Sequence, residues 1–253
     1  MRRRLSRCNV ASGNGPIDRV KIGCAFAVLK AVHEMAGRAD HPTQDLGTPA
    51  VVSDKHRFAF CGIPKVGTKS VSAALFGSPE VAAFFVDRRA VAPAATNGQY
   101  ERHFKFSFVR NPWSRVVSCY CDKIQILRPT PIGKLSIMAK HRGLAPDLSF
   151  EAFVQWLCSS EGNDQCADRH WMSQHRFVCD NRGRVFCDFI GRLESIETDF
   201  QQVCRALGLP SLMLPHSNRS RQAHRYRDLY NERTRKLVSE RYARDIEIFG
   251  YEF

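Results

Sequence analysis

The feature that most constrains the fold of this chain is a glycine-containing loop between a strand candidate and a helix candidate. Residues 57–61 read RFAFC and predict a short β-strand, and the apolar positions of residues 71–75 have helical spacing. Gly62 and Gly67 lie between them. A strand, a glycine loop and a helix in this order gather backbone N–H groups at the helix start, where they bind anions. Two glycines at this spacing also suit a tight turn without a ligand.

The loop resembles a nucleotide-binding P-loop only in part. The pattern G-x-x-x-x-G-K-[ST] requires a lysine directly after the second glycine, where this chain has Thr68. Lys69 and Ser70 follow one position late. A kinase or ATPase also needs a carboxylate that holds Mg²⁺ after a second apolar strand, and Asp188 is the best candidate for it. Phosphoryl transfer is therefore the weaker interpretation of the loop.

A second strand–helix unit also has the features of a phosphate site. Residues 105–109 (KFSFV) predict a strand that ends at Arg110, and Asn111 followed by proline is typical of a helix start. A guanidinium can clamp a phosphate with two hydrogen bonds. Ser114 and Ser118 lie one helical turn apart on one side of this helix. Two such units in one chain suggest a ligand with two separated phosphate groups.

Strands that alternate with helices predict an α/β layered fold, with a central parallel sheet flanked by helices. A third strand is predicted at residues 185–191. Further helices are predicted at residues 149–160, 193–207 and 228–249. We assign residues 54–253 to one domain and residues 1–53 to a poorly defined N-terminal extension with a helix candidate at 20–35.

The charge balance predicts affinity for anions. Lysine and arginine number 38 against 25 acidic residues, a net charge of +13, which would suit nucleic acid, anionic lipid, a polyanionic sugar or a phosphorylated cofactor. The ten cysteines lack zinc-site spacing and are typical of reduced, packed thiols. A polar stretch follows the basic start, and the first apolar run, residues 22–29, is too short to span a bilayer. We expect a cytoplasmic protein without a transmembrane segment; peripheral membrane contact stays open.

Two longer motifs resemble those of carbohydrate-type (family 2) sulfotransferases. Residues 63–68, IPKVGT, are similar to the family's 5′-phosphosulfate loop, P-K-x-G-[ST/C]. Residues 108–120, FVRNPWSRVVSCY, resemble its 3′-phosphate motif, F-V-R-[ND]-P-[WF]-x-R-[LV]-V-S-x-[YF], with the spacing from arginine to serine retained. Three later segments also look familial: residues 168–174, 188–194 and 245–253. The resemblance covers roughly residues 55–253.

The resemblance implies a P-loop-NTPase-like fold and sulfuryl transfer from 3′-phosphoadenosine 5′-phosphosulfate to an acceptor hydroxyl on a carbohydrate, with no metal required. It implies donor contacts from Pro64, Lys65, Val66, Gly67, Thr68, Lys69, Ser70, Arg110 and Ser118, and from a later loop with Asn218, Arg219 and Arg221. Lys69 departs from the family pattern, because relatives often have a hydroxyl residue there. The contacts of Lys69 and Ser70 therefore stay open.

Catalysis needs a cation and a base. Lys65 is the candidate that stabilises the charge growing on the departing phosphate. The base should have a pKa near the working pH, which favours histidine. His170 is the first candidate, since its segment lies near the active site in relatives. The other candidates are His103 and His175, with Glu194 as a structural residue or a competitor.

Two other function classes compete with sulfuryl transfer. A P-loop-type kinase would depend on Mg²⁺ and be protected by ATP, whereas a sulfotransferase should be protected by 3′-phosphoadenosine 5′-phosphate without metal. A basic nucleic-acid-binding protein would use the same charge, but the chain lacks interleaved aromatic and basic repeats, so we predict no nucleic-acid partner. The acceptor and the oligomeric state are not indicated; the surplus of positive charge would suit an acidic glycan.

Overall fold

A five-stranded mixed sheet is the framework of this computed structural model, which describes residues 49–78, 81–92, 98–124, 141, 143–144, 148–215 and 225–253. The strands are β1 (Ala50–Ser53), β2 (Phe58–Phe60), β3 (Phe84–Val86), β4 (Phe104–Val109) and β5 (Phe189–Arg192), in the order β3-β1-β2-β4-β5. The pairs β2–β4 and β4–β5 are parallel, whereas β1 runs antiparallel to both of its neighbours. Every strand but β1 therefore runs in one direction.

The α-helices among the described residues are mostly short. They are α1 (Thr68–Gly77), α2 (Pro112–Cys119), α3 (Phe150–Leu157), α4 (His175–Val178), α5 (Ile196–Ala206), α6 (Glu232–Arg241) and α7 (Ala243–Phe249). A π-helical turn, Tyr120–Ile124, continues α2. In the part of the chain that the structure describes, no helix has the length and apolar character needed to cross a membrane. The cytoplasmic location stays a prediction.

The α/β class and the three predicted strand regions are confirmed, with differences in extent. A strand was predicted at residues 185–191, but β5 begins only at Phe189. Val185 instead forms an isolated bridge with Cys179. Residues 50–53, which we assigned to the N-terminal extension, form β1 and pair with β2. The helix candidate at 20–35 lies outside the described residues. The division into an extension and a domain stays a prediction.

The alternation of side chains along the strands creates two buried layers. One face carries the fully buried rings of Phe58, Phe60, Phe106 and Phe108, with the rings of Phe60 and Phe106 stacked at 5.1 Å. The other face is lined by smaller residues such as Ala59. Because β2 and β4 are parallel, the segments that follow them leave the sheet at the same edge. This edge brings together the two strand–helix units predicted from the sequence.

A glycine in β5 allows the close approach of β4. Gly191 pairs in register with Phe108, and a Cβ atom at Gly191 would lie 2.4 Å from Phe108 Cε1. We expect Gly191→Ala to lower the free energy of unfolding by about 1–3 kcal/mol through overpacking, measured by urea denaturation. Gly77→Ala is the control, because a Cβ atom there meets nothing within 4 Å. Equal stability of the two variants would contradict the packing described for β4 and β5.

Candidate functional site

The loop between β2 and α1 is tightly closed. The Thr68 hydroxyl donates a hydrogen bond to the Ile63 carbonyl, and a Cβ atom at Gly62 would lie 2.5 Å from Thr68 Cγ2. Gly67 caps α1 with φ +84°, a left-handed conformation that favours glycine. Lys65 also has a positive φ, +74°, which is uncommon for a residue with a side chain. The loop therefore holds a lysine in a strained backbone conformation.

Two buried arginines of the second unit hold the carbonyl groups on either side of that strain. Arg115 Nε donates to the Pro64 carbonyl at 3.2 Å, and Arg110 Nη1 donates to the Lys65 carbonyl, also at 3.2 Å. Their exposed fractions are 2% for Arg115 and 6% for Arg110. The start of α2 thus fixes the conformation of the glycine loop.

Arg110 is fixed at both its backbone and its side chain. Nε and Nη2 donate to Ser114 Oγ at 3.0 and 2.8 Å, and the Arg110 backbone exchanges two hydrogen bonds with the Gln174 amide, at 2.9 and 2.8 Å. Burial lowers the pKa of Arg110 to about 10, although Glu194 nearby opposes the shift. The guanidinium remains charged at neutral pH, and these hydrogen bonds fix its orientation. Ser118 lies half-buried one turn beyond Ser114.

The predicted helix start at Asn111 is confirmed. Its side-chain oxygen accepts a hydrogen bond from the Ser114 amide at 3.2 Å, as an N-cap does. Glu194 accepts from the Asn111 amide at 2.8 Å through Oε1 and from the Tyr251 hydroxyl at 3.1 Å through Oε2. Both carboxylate oxygens of Glu194 therefore join the start of α2 to the C-terminal segment, which favours its structural role.

The ammonium group of Lys65 lies in an ion cluster with the π-helical turn. Asp122 Oδ2 is 3.2 Å from Lys65 Nζ and 3.1 Å from Lys123 Nζ. Burial lowers the pKa of Lys65, and the negative charge of Asp122 opposes this shift. Burial by itself would raise the pKa of Asp122, but Lys65 and Lys123 hold it at about 2. Asp122 is therefore ionised throughout the neutral pH range.

His170 is held beside the same loop through Arg115. The Nδ1 atom of His170 is hydrogen bonded to Asp168 Oδ1, which also accepts from the His170 amide at 2.9 Å. Arg115 donates to the carbonyls of Met172 at 2.8 Å and Arg169 at 3.3 Å, so one guanidinium joins this segment to the glycine loop. Burial lowers the pKa of His170, and Asp168 opposes the shift.

The structure does not bring the other two histidines into this group. His103 precedes β4 and lies 3.2 Å from Asp54 through Nε2. Six strand residues separate it from Arg110, and the seven steps between them correspond to roughly 23 Å at about 3.3 Å per residue. His175 Nδ1 lies 2.8 Å from Asp245, a fully buried carboxylate of α7. His175 therefore anchors α4 to α7.

The remaining predicted residues have different surroundings. Lys69 is exposed on the first turn of α1, and the half-buried Ser70 donates its amide to the Gly67 carbonyl at 2.9 Å. Asp188 precedes β5 and accepts from the Lys105 amide at 2.7 Å, at the edge of the sheet opposite the loop. A magnesium ligand of a P-loop enzyme would have to lie near the loop, and the Asp188 carboxylate does not. Asn218, Arg219 and Arg221 lie outside the described residues.

Sequence reasoning assigned no role to four residues that shape the site. Arg115, Asp168 and Gln174 belong to segments that resembled the family, so their charged or amide groups were a usable signal. Asp122 had a weaker signal, its position directly before Lys123. Its contact with Lys65 depends on the π-helical turn, which periodicity does not reveal.

Comparisons with known proteins agree with the motifs. The model of the sulfotransferase family matches residues 48–252. Carbohydrate sulfotransferase 12 of Mus musculus is 25% identical over an alignment that covers 90% of this chain and 65% of the relative. Carbohydrate sulfotransferase 14 of Homo sapiens is 28% identical, over 63% of this chain and 46% of the relative. Carbohydrate sulfotransferase 10 of Danio rerio is 27% identical, over 79% of this chain and 65% of the relative. The chain spans about half to two thirds of the length of these relatives. No solved structure matches the chain significantly.

The three carbonyl contacts of Arg115 lead to a stability prediction. Arg115→Lys keeps the charge, but one ammonium cannot span carbonyls on two segments, and each buried carbonyl left unpaired costs about 1–3 kcal/mol. We expect the free energy of unfolding, measured in urea, to fall by about 2 kcal/mol or more. The control is Arg233→Lys, at an exposed arginine 3.9 Å from Glu151, with an expected change within about 0.5 kcal/mol. If both variants are equally stable, the bridging role of Arg115 is wrong.

Proposed function

The chain belongs to the sulfotransferase family, and we propose that it transfers a sulfuryl group from 3′-phosphoadenosine 5′-phosphosulfate to a hydroxyl group of a carbohydrate. One observation carries the proposal: the Lys65 loop and Arg110 meet at the same edge of the sheet, joined by a hydrogen bond of 3.2 Å. A donor with a phosphosulfate at its 5′ end and a phosphate at its 3′ position needs two such units. The carbohydrate acceptor is supported by the names of the relatives.

The donor contacts follow from the two units. In the proposal, the loop from Pro64 to Ser70 holds the 5′-phosphosulfate, and Arg110 and Ser118 hold the 3′-phosphate. Lys65 and Arg110 are both partly stripped of water, and a bound anion compensates for that lost hydration. The β2–loop–α1 unit and the parallel pairing of β2, β4 and β5 support a P-loop-NTPase-like fold. Contacts from Asn218, Arg219 and Arg221 remain predictions.

The chain's residues divide the chemistry between a cation and a base. When bound, the donor supplies the sulfuryl group and a phosphate leaving group. Lys65 places its ammonium where negative charge grows on the departing oxygen, without requiring a metal. His170 takes the proton of the acceptor hydroxyl. Because Nδ1 is bonded to Asp168, Nε2 has the lone pair that accepts this proton, and Asp168 stabilises the resulting imidazolium.

A P-loop kinase is not favoured. The loop has no lysine directly after Gly67, and Asp188 lies at the opposite edge of the sheet, bonded to the Lys105 amide. A magnesium-dependent phosphoryl transfer would need a lysine directly after Gly67 and a carboxylate beside the loop. Thr68 occupies the first position, and Asp188 is too far away to serve as the second.

Ligand-dependent stability tests the donor. At 100 times its Kd, a ligand stabilises a protein by about 2.7 kcal/mol, so we expect 3′-phosphoadenosine 5′-phosphate to raise the Tm by roughly 5–10 °C without metal. Arg110→Ala should lose this shift, whereas Arg89→Ala, at an arginine whose side chain is 75% exposed, should keep it. Stabilisation by ATP–Mg²⁺ alone would mean that the donor is assigned wrongly.

The base is tested by substitution and by pH. We expect His170→Ala to lower kcat by about 10²–10⁴-fold with unchanged affinity for 3′-phosphoadenosine 5′-phosphate, whereas His103→Gln should retain turnover. The base must be neutral to work, so kcat/KM should fall as pH drops through the pKa of His170. Since burial lowers this pKa, the acidic limb should lie below the ordinary histidine value of 6.5. Normal turnover of His170→Ala would reassign the base.

A further inference from the structure

A carboxylate lies against the lysine on which the proposed chemistry depends. Oδ2 of Asp122 contacts the ammonium groups of Lys65, at 3.2 Å, and Lys123, at 3.1 Å. Asp122 and Lys123 lie in the π-helical turn Tyr120–Ile124 that extends α2. Single π-helical turns within helices occur frequently at functional sites. The contact crosses from this turn to the glycine loop, 57 positions away in the sequence.

On its own, this carboxylate would weaken an anion site. An ionised Asp122 offsets the charge of Lys65, and a donor that carries phosphate and sulfate would be repelled by it. Lys123, on the same carboxylate oxygen, restores one net positive charge, because the cluster then holds two ammonium groups and one carboxylate. The cluster keeps its attraction for anions while Lys65 keeps a partner.

Packing and one carboxylate position the Lys65 ammonium, because the side chain is only 17% exposed and Asp122 is its ion-pair partner. Arg110 and Arg115 fix the backbone around Lys65, but a lysine side chain has four rotatable bonds. The ammonium must nevertheless point at the departing oxygen to stabilise its charge. The hydrogen bond to Asp122 constrains the direction of the ammonium, in addition to the packing of the side chain.

We propose that Asp122 is a positioning residue for sulfuryl transfer, which keeps the Lys65 ammonium charged and in place while Lys123 maintains the net positive charge of the cluster. This inference rests on the proposed function.

The groups that face Lys65 define how its protonation should respond. Asp122 and Lys123 come from the π-helical turn, and Cys119 comes from the end of α2. Burial raises the pKa of Cys119 to about 12, so the thiol is neutral in the working range. His170 lies close enough to Lys123 for that charge to lower its pKa further. Asp122 raises the pKa of Lys65, whereas Lys123 lowers it.

Two substitutions change the charge of the cluster in opposite directions. Asp122→Asn leaves the cluster with a net charge of +2, and Lys123→Met leaves it with a net charge of zero. By calorimetry, we expect the affinity for 3′-phosphoadenosine 5′-phosphate to be equal or tighter in Asp122→Asn and clearly weaker in Lys123→Met. The kcat of Asp122→Asn should nevertheless fall by about tenfold or more, because Lys65 is no longer held in place. A residue needed only for folding would lower affinity and kcat together.

The matched control is Glu247→Gln. Glu247 is an exposed residue of α7 that pairs with Arg244 at 2.8 Å, and its substitution changes the net charge by the same amount as Asp122→Asn. Its kcat and affinity should stay within about twofold of the wild type.

The alkaline limb of the pH profile of kcat/KM should shift in opposite directions in the two variants. Lys65 must be protonated, so activity is lost as pH rises through its pKa. Without Asp122 this pKa is lower, and the limb should move to lower pH; without Lys123 it should move to higher pH. Glu247→Gln should leave the limb unchanged.

Amine labelling separates this inference from the proposed function. Labelling of Lys65 by acetic anhydride across pH, without donor, is read by mass spectrometry and reports the pKa of its amine. This pKa should be lower than in the wild type in Asp122→Asn and higher in Lys123→Met. If the shifts appear but the wild type does not bind 3′-phosphoadenosine 5′-phosphate, the proposed function is wrong, and the catalytic role of Asp122 with it. If the wild type binds this diphosphate and transfers sulfuryl groups, while Asp122→Asn keeps the wild-type kcat, limb and labelling, the function stands and the role of Asp122 is overturned.

Discussion

Two buried guanidinium groups bound to the carbonyls of consecutive residues are the interaction on which the rest of the site depends. Arg115 holds the Pro64 carbonyl and Arg110 holds the Lys65 carbonyl. These acceptors are neutral oxygens, so the hydrogen bonds order the loop without cancelling the positive charge of the arginines. Buried cations that keep their charge in this way strengthen the field that an incoming anion meets. The contacts that shape the loop therefore also supply part of its attraction for an anion.

The same interaction joins three segments that are far apart in the sequence. Arg115 reaches the carbonyls of Arg169 and Met172 as well as Pro64, so the loop, α2 and the His170 segment form one hydrogen-bonded unit. A shift in any of the three changes the distance between the Lys65 loop and the His170 segment. The proposed mechanism requires both segments to be aligned at once, since an acceptor would attack in line with the departing oxygen.

The local parts of this arrangement could be predicted from the sequence, and the nonlocal parts could not. The glycine loop and the Asn111 cap are determined by residue types over a few positions, which is why they were found. Two nonlocal contacts were missed. β1 pairs with β3, which joins Val51 to Phe85, and the contact of Asp122 with Lys65 depends on a π-helical turn. The separation of His103 from Arg110 could have been predicted, because the two residues lie at opposite ends of the same strand. A residue before a parallel strand lies at the opposite edge from a residue after it.

The left-handed backbone of Lys65 has a consequence for how this protein can evolve. A residue with a side chain costs about 1 kcal/mol or more in that conformation, whereas glycine adopts it freely. Selection for an unstrained backbone alone would thus favour glycine here, but the replacement would also remove the ammonium that pairs with Asp122. In the proposed mechanism, selection for catalysis opposes that replacement. Under the proposed mechanism, a homologue with glycine here would keep the fold but lack the cation that assists sulfuryl transfer.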